Sequence, residues 1–158
     1  MALITGETAR IYNDLVVINK AAVKGYQEAA EAVDHPDLKV ELTRYSQQRA
    51  RFAAELEEQA IRFGVEPPSQ ESTVEGALTD AAAAMHRGWI SLKSTLVDRD
   101  DKTILHECEN GDVAALLSYD LALQSEELAA GACELLRRQQ GEIQLIKNKF
   151  TARRTQPL

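Results

Sequence analysis

The feature that most constrains this chain is the recurrence of apolar residues every three or four positions, the period of an amphipathic helix. Five segments carry it: residues 11–33, 38–63, 74–96, 104–123 and 128–150. No segment shows the sustained alternation of a half-buried strand. Pro36 follows the first segment with Asp37 as a candidate helix cap, and Gly64 follows the second where a terminating glycine belongs. The sequence therefore predicts an all-α fold.

Segment lengths and loops predict the topology. Long helices joined by short loops pack as antiparallel neighbours, so we expect residues 1–124 to form an up-down-up-down four-helix bundle. Residues 125–158 then add a C-terminal amphipathic helix and a short basic tail. The apolar face of that helix must be buried, either on its own bundle or on a neighbouring subunit. We expect a homo-oligomer in which this helix forms the contact, and packing within the same chain is the open alternative.

Charge and composition exclude several classes of partner. Twenty-five acidic and eighteen basic residues give a net charge of −7, the wrong sign for neutralising nucleic-acid phosphates. Residues 1–10 do not show a cationic region followed by an apolar run, and no apolar run in the sequence approaches the roughly 18 residues of a membrane span. Cys108 and Cys133 lie in separate helical segments and are expected to be reduced thiols. We therefore expect a cytoplasmic protein that binds neither nucleic acid nor membranes.

Four segments carry a resemblance to known proteins: INKAAVKGYQEAA at 18–30, QQRARFAAEL at 47–56, MHRGWISLKSTL at 85–96 and ILHECENGDVAALLSY at 104–119. Together they resemble an uncharacterised bacterial family of four-helix-bundle proteins within the ferritin-like superfamily. The resemblance covers roughly residues 10–120. It implies a ferritin-like bundle, a bacterial origin and a stress-associated role, but no particular reaction.

The ferritin-like resemblance raises the question of a di-iron centre. Such a centre needs Glu-x-x-His pairs on two helices, because two hard cations require several oxygens and imidazoles on one face. None of the three histidines, His35, His86 and His106, follows a glutamate by three residues. We therefore expect no ferritin-type di-iron centre.

Four polar residues nevertheless fall within or beside the apolar stripes, near the middle of their helices. They are Asn19, Arg49, His86 and Asp112. Because each lies within about one turn of its helix midpoint, we predict that they form one polar layer across the bundle. The interpretation we favour is a buried Arg49–Asp112 ion pair that fixes helix register, with Asn19 and His86 completing its hydrogen bonds.

Two other interpretations of this layer stay open. In one, His86 and Asp112 bind iron, manganese or zinc together with a flanking carboxylate, Glu109 or Glu55; Arg49 would then have to turn away, because its permanent positive charge repels a cation. In the other, Arg49 and His86 hold an anion or a small polar ligand. The favoured interpretation needs no cofactor.

The sequence shows no catalytic signature. It contains no Gly-x-Ser-x-Gly motif and no glycine-rich phosphate loop. It also contains no recognisable pairing of a nucleophile with a general base. Three tyrosines fall on the inward faces of their helices: Tyr26, Tyr45 and Tyr119. We expect them to be core residues whose hydroxyls reach a hydrogen-bond partner, and a redox role is the alternative. We expect a non-enzymatic bundle that acts by self-association or partner binding. The alternative is a ferritin-like metal-binding or redox protein.

Overall fold

The computed structural model describes residues 6–64, 89, 100–126, 128 and 130–154. These residues form four helices and no strand: α1 (Gly6–Ala32), α2 (Pro36–Arg62), α3 (Asp101–Leu123) and α4 (Ala130–Arg154). The helices correspond to the first, second, fourth and fifth predicted segments, which confirms the all-α fold. The predicted helix over 74–96 lies outside the described residues except for Trp89, which is helical.

Contacts between helices give their directions. α1 and α2 form an antiparallel hairpin, in which Ser46 Oγ donates to the Val23 carbonyl over 2.9 Å. Hydrogen bonds at two heights along each pair of helices show that α3 also runs antiparallel to α1, and α4 antiparallel to α3. α2 and α3 are therefore parallel. The chain leaves α2 at one end of the four helices and enters α3 at the other.

The helical stripes meet in one core. Its members come from all four helices and the turn after α1, and they include Tyr12, Leu15, Ile18, Tyr26, Val33, Leu38, Leu42, Tyr45, Phe52, Leu56, Ile104, Leu105, Cys108, Tyr119, Leu136, Ile143, Ile146 and Phe150. Burial of an aliphatic or aromatic side chain of this size stabilises the folded state by about 1.5–3 kcal/mol. Packing, rather than helix propensity, therefore supplies most of the helical stability.

α4 packs against its own chain. Leu136, Ile143 and Phe150 are fully buried. Arg138 also forms an ion pair with Glu55 of α2 over 2.6 Å. The open question about this helix is thereby answered in favour of packing within the chain. The division of the chain at residue 124 stays a prediction.

The turn between α1 and α2 is held by side chains at both of its ends. His35 caps α2, since its Nδ1 accepts from the Asp37 amide over 3.2 Å and Pro36 is the first helical residue. The expected cap, Asp37, instead lies in the first turn, where its charge suits the helix dipole. The Asp34 and His35 amides donate to the Asp101 carboxylate over 2.8 and 3.1 Å. This joins the turn to the start of α3.

The outer side of α3 carries exposed apolar residues over its second half. Val113, Leu117 and Leu121 are exposed there at intervals of four residues, which places them along one side of the helix. Among the described helices, none is long and apolar enough to cross a membrane.

Candidate functional site

The centre of the bundle holds a buried ion pair. Arg49 lies on the core face of α2, two turns from both Leu42 and Leu56, and has no exposed surface. Its Nη2 donates to Asp112 Oδ1 of α3 over 2.8 Å, and Tyr26 of α1 donates to Asp112 Oδ2 over 2.7 Å. Both carboxylate oxygens therefore have a donor. The carboxylate of α3 thus joins α1 and α2 at one point. The surrounding apolar side chains could not supply hydrogen bonds in place of these donors.

The electrostatics of this centre are those of a fully buried environment. Burial raises the pKa of Asp112, and the positive charge of Arg49 and the Tyr26 hydrogen bond counteract that rise. The guanidinium also lies 5.6 Å from the centre of the Tyr26 ring, within the range of a cation–π contact. Burial, followed by the nearby negative charge of Asp112, raises the pKa of Tyr26 well above its usual value. Tyr26 is therefore a neutral hydrogen-bond donor.

Asn19 takes part in a separate set of hydrogen bonds. Its Nδ2 donates to the Tyr119 hydroxyl over 2.9 Å, and this hydroxyl donates to Gln139 Oε1 of α4 over 2.7 Å. Gln139 in turn donates to Glu55 Oε1 of α2 over 3.2 Å. Asn19 precedes Tyr26 by two helical turns, about 10 Å along α1. Of the four residues predicted in one layer, the structure directly joins Arg49 and Asp112, while His86 lies outside the described residues.

The carboxylates considered as metal ligands each have their own partners. Glu55 accepts from Arg138 and Gln139, and Glu109 accepts from Thr151 over 3.1 Å. Asp112 is engaged by the guanidinium of Arg49, whose charge repels a cation. Within the described part of the chain, no three His, Cys, Asp or Glu residues group as metal ligands. These carboxylates do not fit a shared metal ion in this arrangement.

Trp89 is enclosed between two glycines on different helices. A methyl group at Gly25 of α1 would lie 1.8 Å from Cε3 of the indole, and one at Gly111 of α3 would lie 2.1 Å from Cζ2. These distances are shorter than any real contact, so only glycine allows the ring to approach both helices. The backbone of α1 and α3 thus forms part of the wall around the indole.

Tyr26 is also the centre of an aromatic cluster. Its ring lies 5.3 Å from that of Trp89, 5.7 Å from Tyr45 and 6.4 Å from Phe150, measured between ring centres. These separations are typical of aromatic side chains in contact. The Tyr45 hydroxyl donates to Glu41 one turn earlier on α2. The expectation that Tyr26, Tyr45 and Tyr119 point inward with partnered hydroxyls is confirmed.

Both cysteines are free thiols, as predicted. Burial raises the pKa of Cys108 well above its usual value, and Asp112 and Glu107 raise it further. Because the thiolate is the reactive form, Cys108 is a poor nucleophile.

Two features of the site escaped the sequence patterns. Gln139 occupies a fully buried position of α4, where its polarity interrupts the apolar period of that helix. The close contact of Trp89 with Gly25 and Gly111 could have been predicted from the sequence. A glycine inside a helical pattern indicates that another group packs closely against the helix backbone.

Comparison with known proteins gives a family. No curated protein matches the chain, and no solved structure does. A family profile described as "Domain of unknown function (DUF2383)" matches residues 7–125, which include α1, α2, α3 and both partners of the buried ion pair. Because this match covers most of the 158 residues, the chain belongs to the DUF2383 family of domains of unknown function.

Proposed function

We propose that this chain is a non-enzymatic helical bundle that acts by associating with a second copy of itself through the outer side of α3. The observation that carries the proposal is the exposed stripe of Val113, Leu117 and Leu121. The exposed fractions of these residues are 39%, 59% and 56%. Apolar side chains in a continuous exposed row indicate an interaction surface, whereas single exposed ones are ordinary.

The low charge of this side of α3 makes it the surface where a second copy meets the least repulsion. Two chains of net charge −7 repel each other, and the repulsion is weakest where both surfaces lack charge. From residue 113 to 123 the sequence VAALLSYDLAL contains one charged residue, Asp120. The Asp120 carboxylate accepts a hydrogen bond from Gln140 of α4. Depletion of charge is also what distinguishes the centre of a protein interface.

The size of the stripe determines how tightly two copies are expected to associate. A stable interface buries about 800 Å² on each partner and involves about 20–30 residues on each side. Three side chains and their neighbours supply less than this. We therefore expect a weak, reversible dimer with twofold symmetry, in which each stripe packs against its copy.

Sedimentation velocity over a wide range of protein concentrations tests the proposal. The wild-type chain should show an increasing sedimentation coefficient as its concentration rises. Leu117→Asp should stay monomeric, because it places a charge in the stripe. The matched control is Leu145→Asp on the solvent side of α4, where the leucine is 63% exposed and outside the stripe. A wild-type chain that is monomeric throughout would overturn the proposal.

The finer sequence-based inferences belong to this proposal as well. A ferritin-like up-down-up-down bundle is supported by the antiparallel α1 and α2 and the parallel α2 and α3, because the first, second and fourth helices of such a bundle have these directions. A bacterial origin, a cytoplasmic location and a stress-associated role rest on the sequence resemblance and composition alone. The alternative of a metal-binding protein, with His86, Glu55, Glu109 and Asp112 as ligands, gains no support from the separate partners of its three described carboxylates.

A further inference from the structure

Two neighbouring tyrosines each donate a hydrogen bond to a carboxylate. Tyr26 donates to Asp112, and Tyr45 donates to Glu41. The two rings are 5.7 Å apart and inclined at 67°, an edge-to-face contact. Oxidation of a phenol by one electron releases its proton, so a carboxylate within hydrogen-bond reach can accept that proton as the electron leaves. The pairs therefore have the geometry for proton-coupled oxidation.

The two pairs differ in their access to solvent. Tyr26 and Asp112 have no exposed surface. Tyr45 is 8% exposed, and its partner Glu41 has a side chain that is 19% exposed and forms an ion pair with Arg153 of α4. The Tyr45–Glu41 pair therefore lies near the surface between α2 and α4, and the Tyr26–Asp112 pair lies at the centre of the bundle. An oxidant too large to enter the core can reach the outer pair.

We propose that Tyr45 and Tyr26 form a one-electron relay. The relay takes an oxidising equivalent from an oxidised transition-metal complex, which is too large to enter the core, at the α2–α4 surface and stores it at Tyr26. In the first step the oxidant takes one electron from Tyr45, and the phenolic proton moves to Glu41. In the second, Tyr26 gives one electron to the Tyr45 radical and its proton to Asp112, while Glu41 returns its proton to Tyr45. The net change is one-electron reduction of the oxidant, a neutral radical at Tyr26 and transfer of the Tyr26 proton to Asp112.

The other two tyrosines provide internal controls. Tyr119 donates to the amide oxygen of Gln139, and Tyr12 donates to the amide oxygen of Gln59. An amide oxygen is a much weaker base than a carboxylate, so neither phenol has a comparable proton acceptor. If any tyrosine in this chain oxidised equally well, Tyr12 and Tyr119 would contribute as much as the paired residues.

Electron paramagnetic resonance of the full chain tests the relay. The protein is oxidised with photogenerated tris(bipyridine)ruthenium(III), using a cobalt(III) ammine complex as terminal electron acceptor, and is frozen at increasing delays. The wild type should give a tyrosyl spectrum, identified by its narrowing when the tyrosines are ring-deuterated. Tyr45→Phe should lose most of the signal, and Tyr26→Phe should form a radical that decays faster. Tyr119→Phe and Tyr12→Phe should match the wild type.

Glu41→Gln separates proton acceptance from packing. The glutamine keeps an oxygen to accept the hydrogen bond but is not a base, so the radical yield should fall while the circular dichroism spectrum stays helical. This variant also carries the test if Tyr45→Phe fails to fold. The relay is overturned if Glu41→Gln or a folded Tyr45→Phe keeps the wild-type yield, or if Tyr119→Phe loses as much signal as Tyr45→Phe. An unchanged radical lifetime in folded Tyr26→Phe would also overturn it. None of these variants lies in the α3 stripe, so the result is independent of self-association.

Discussion

Arg49 and Asp112 form an ion pair over 2.8 Å in which neither side chain has any exposed surface. Removing two charges from water is costly, and their attraction offsets this cost only when the geometry and the accompanying hydrogen bonds are good. Here Tyr26 supplies the additional bond to the carboxylate. Such a pair fixes which residues of α2 and α3 lie at the same height, and loss of one partner leaves the other charge buried.

Asp112→Ala should therefore lower the free energy of unfolding by about 3–5 kcal/mol, measured by urea denaturation. Replacing the whole group by Arg49→Met, Asp112→Leu and Tyr26→Phe should restore most of that loss, since no polar group is left without a partner. Equal losses in the single and the triple variants would contradict the pairing.

An exposed pair provides the control for that experiment. Arg62 and Glu58 of α2 are 2.7 Å apart, with side chains 73% and 67% exposed. Glu58→Ala should change the free energy of unfolding by no more than about 0.5 kcal/mol, because solvent screens the interaction.

Gly25→Ala and Gly111→Ala should each destabilise the bundle, although alanine favours a helix. The added methyl group would overlap the Trp89 ring, and overpacking of this kind costs about 1–3 kcal/mol. Gly141→Ala on α4 is the matched control, because its Cβ would meet nothing within 4 Å and should stabilise the chain by about 0.5–1 kcal/mol. The fluorescence of Trp89, the single tryptophan, should shift in the first two variants alone.

Stability should fall at alkaline pH. Burial raises the pKa of all four tyrosines, that of Tyr12 to about 12. The folded chain then holds these protons more tightly than the unfolded chain, whose phenols titrate near pH about 10. The stability that this difference contributes is complete below the pKa of the unfolded phenols and is lost as the pH rises above it. Phenolate absorbance should appear together with loss of helical circular dichroism. A phenolate that forms near pH about 10 in an intact helical protein would contradict this prediction.

Phe150→Ala should destabilise the whole bundle by about 3–5 kcal/mol, because α4 shares the common core. Leu145→Ala, five residues earlier on the exposed side, should change stability by less than about 0.5 kcal/mol. Urea unfolding followed by circular dichroism distinguishes the two. If α4 were an independent appendage, Phe150→Ala would leave the main transition in place.

The apolar period alone determined the helices, because a 3.6-residue repeat places one face of each helix towards a core whatever its neighbours are. The same period placed Arg49 and Asp112 on inward faces, and from this their pairing could be predicted. Gly64 was correctly assigned to the end of α2, and its positive φ of 84° requires glycine.

The tertiary structure decided which inward residues meet. Asn19 bonds to Tyr119 rather than to the ion pair, because partner choice depends on the relative height and rotation of separate helices, which no single helical pattern contains. The same holds for Gln139, which a pattern of apolar residues cannot place in a core, and for Trp89 between Gly25 and Gly111. The apolar face of α4 had to be buried somewhere, and only packing across the bundle showed that its own chain buries it.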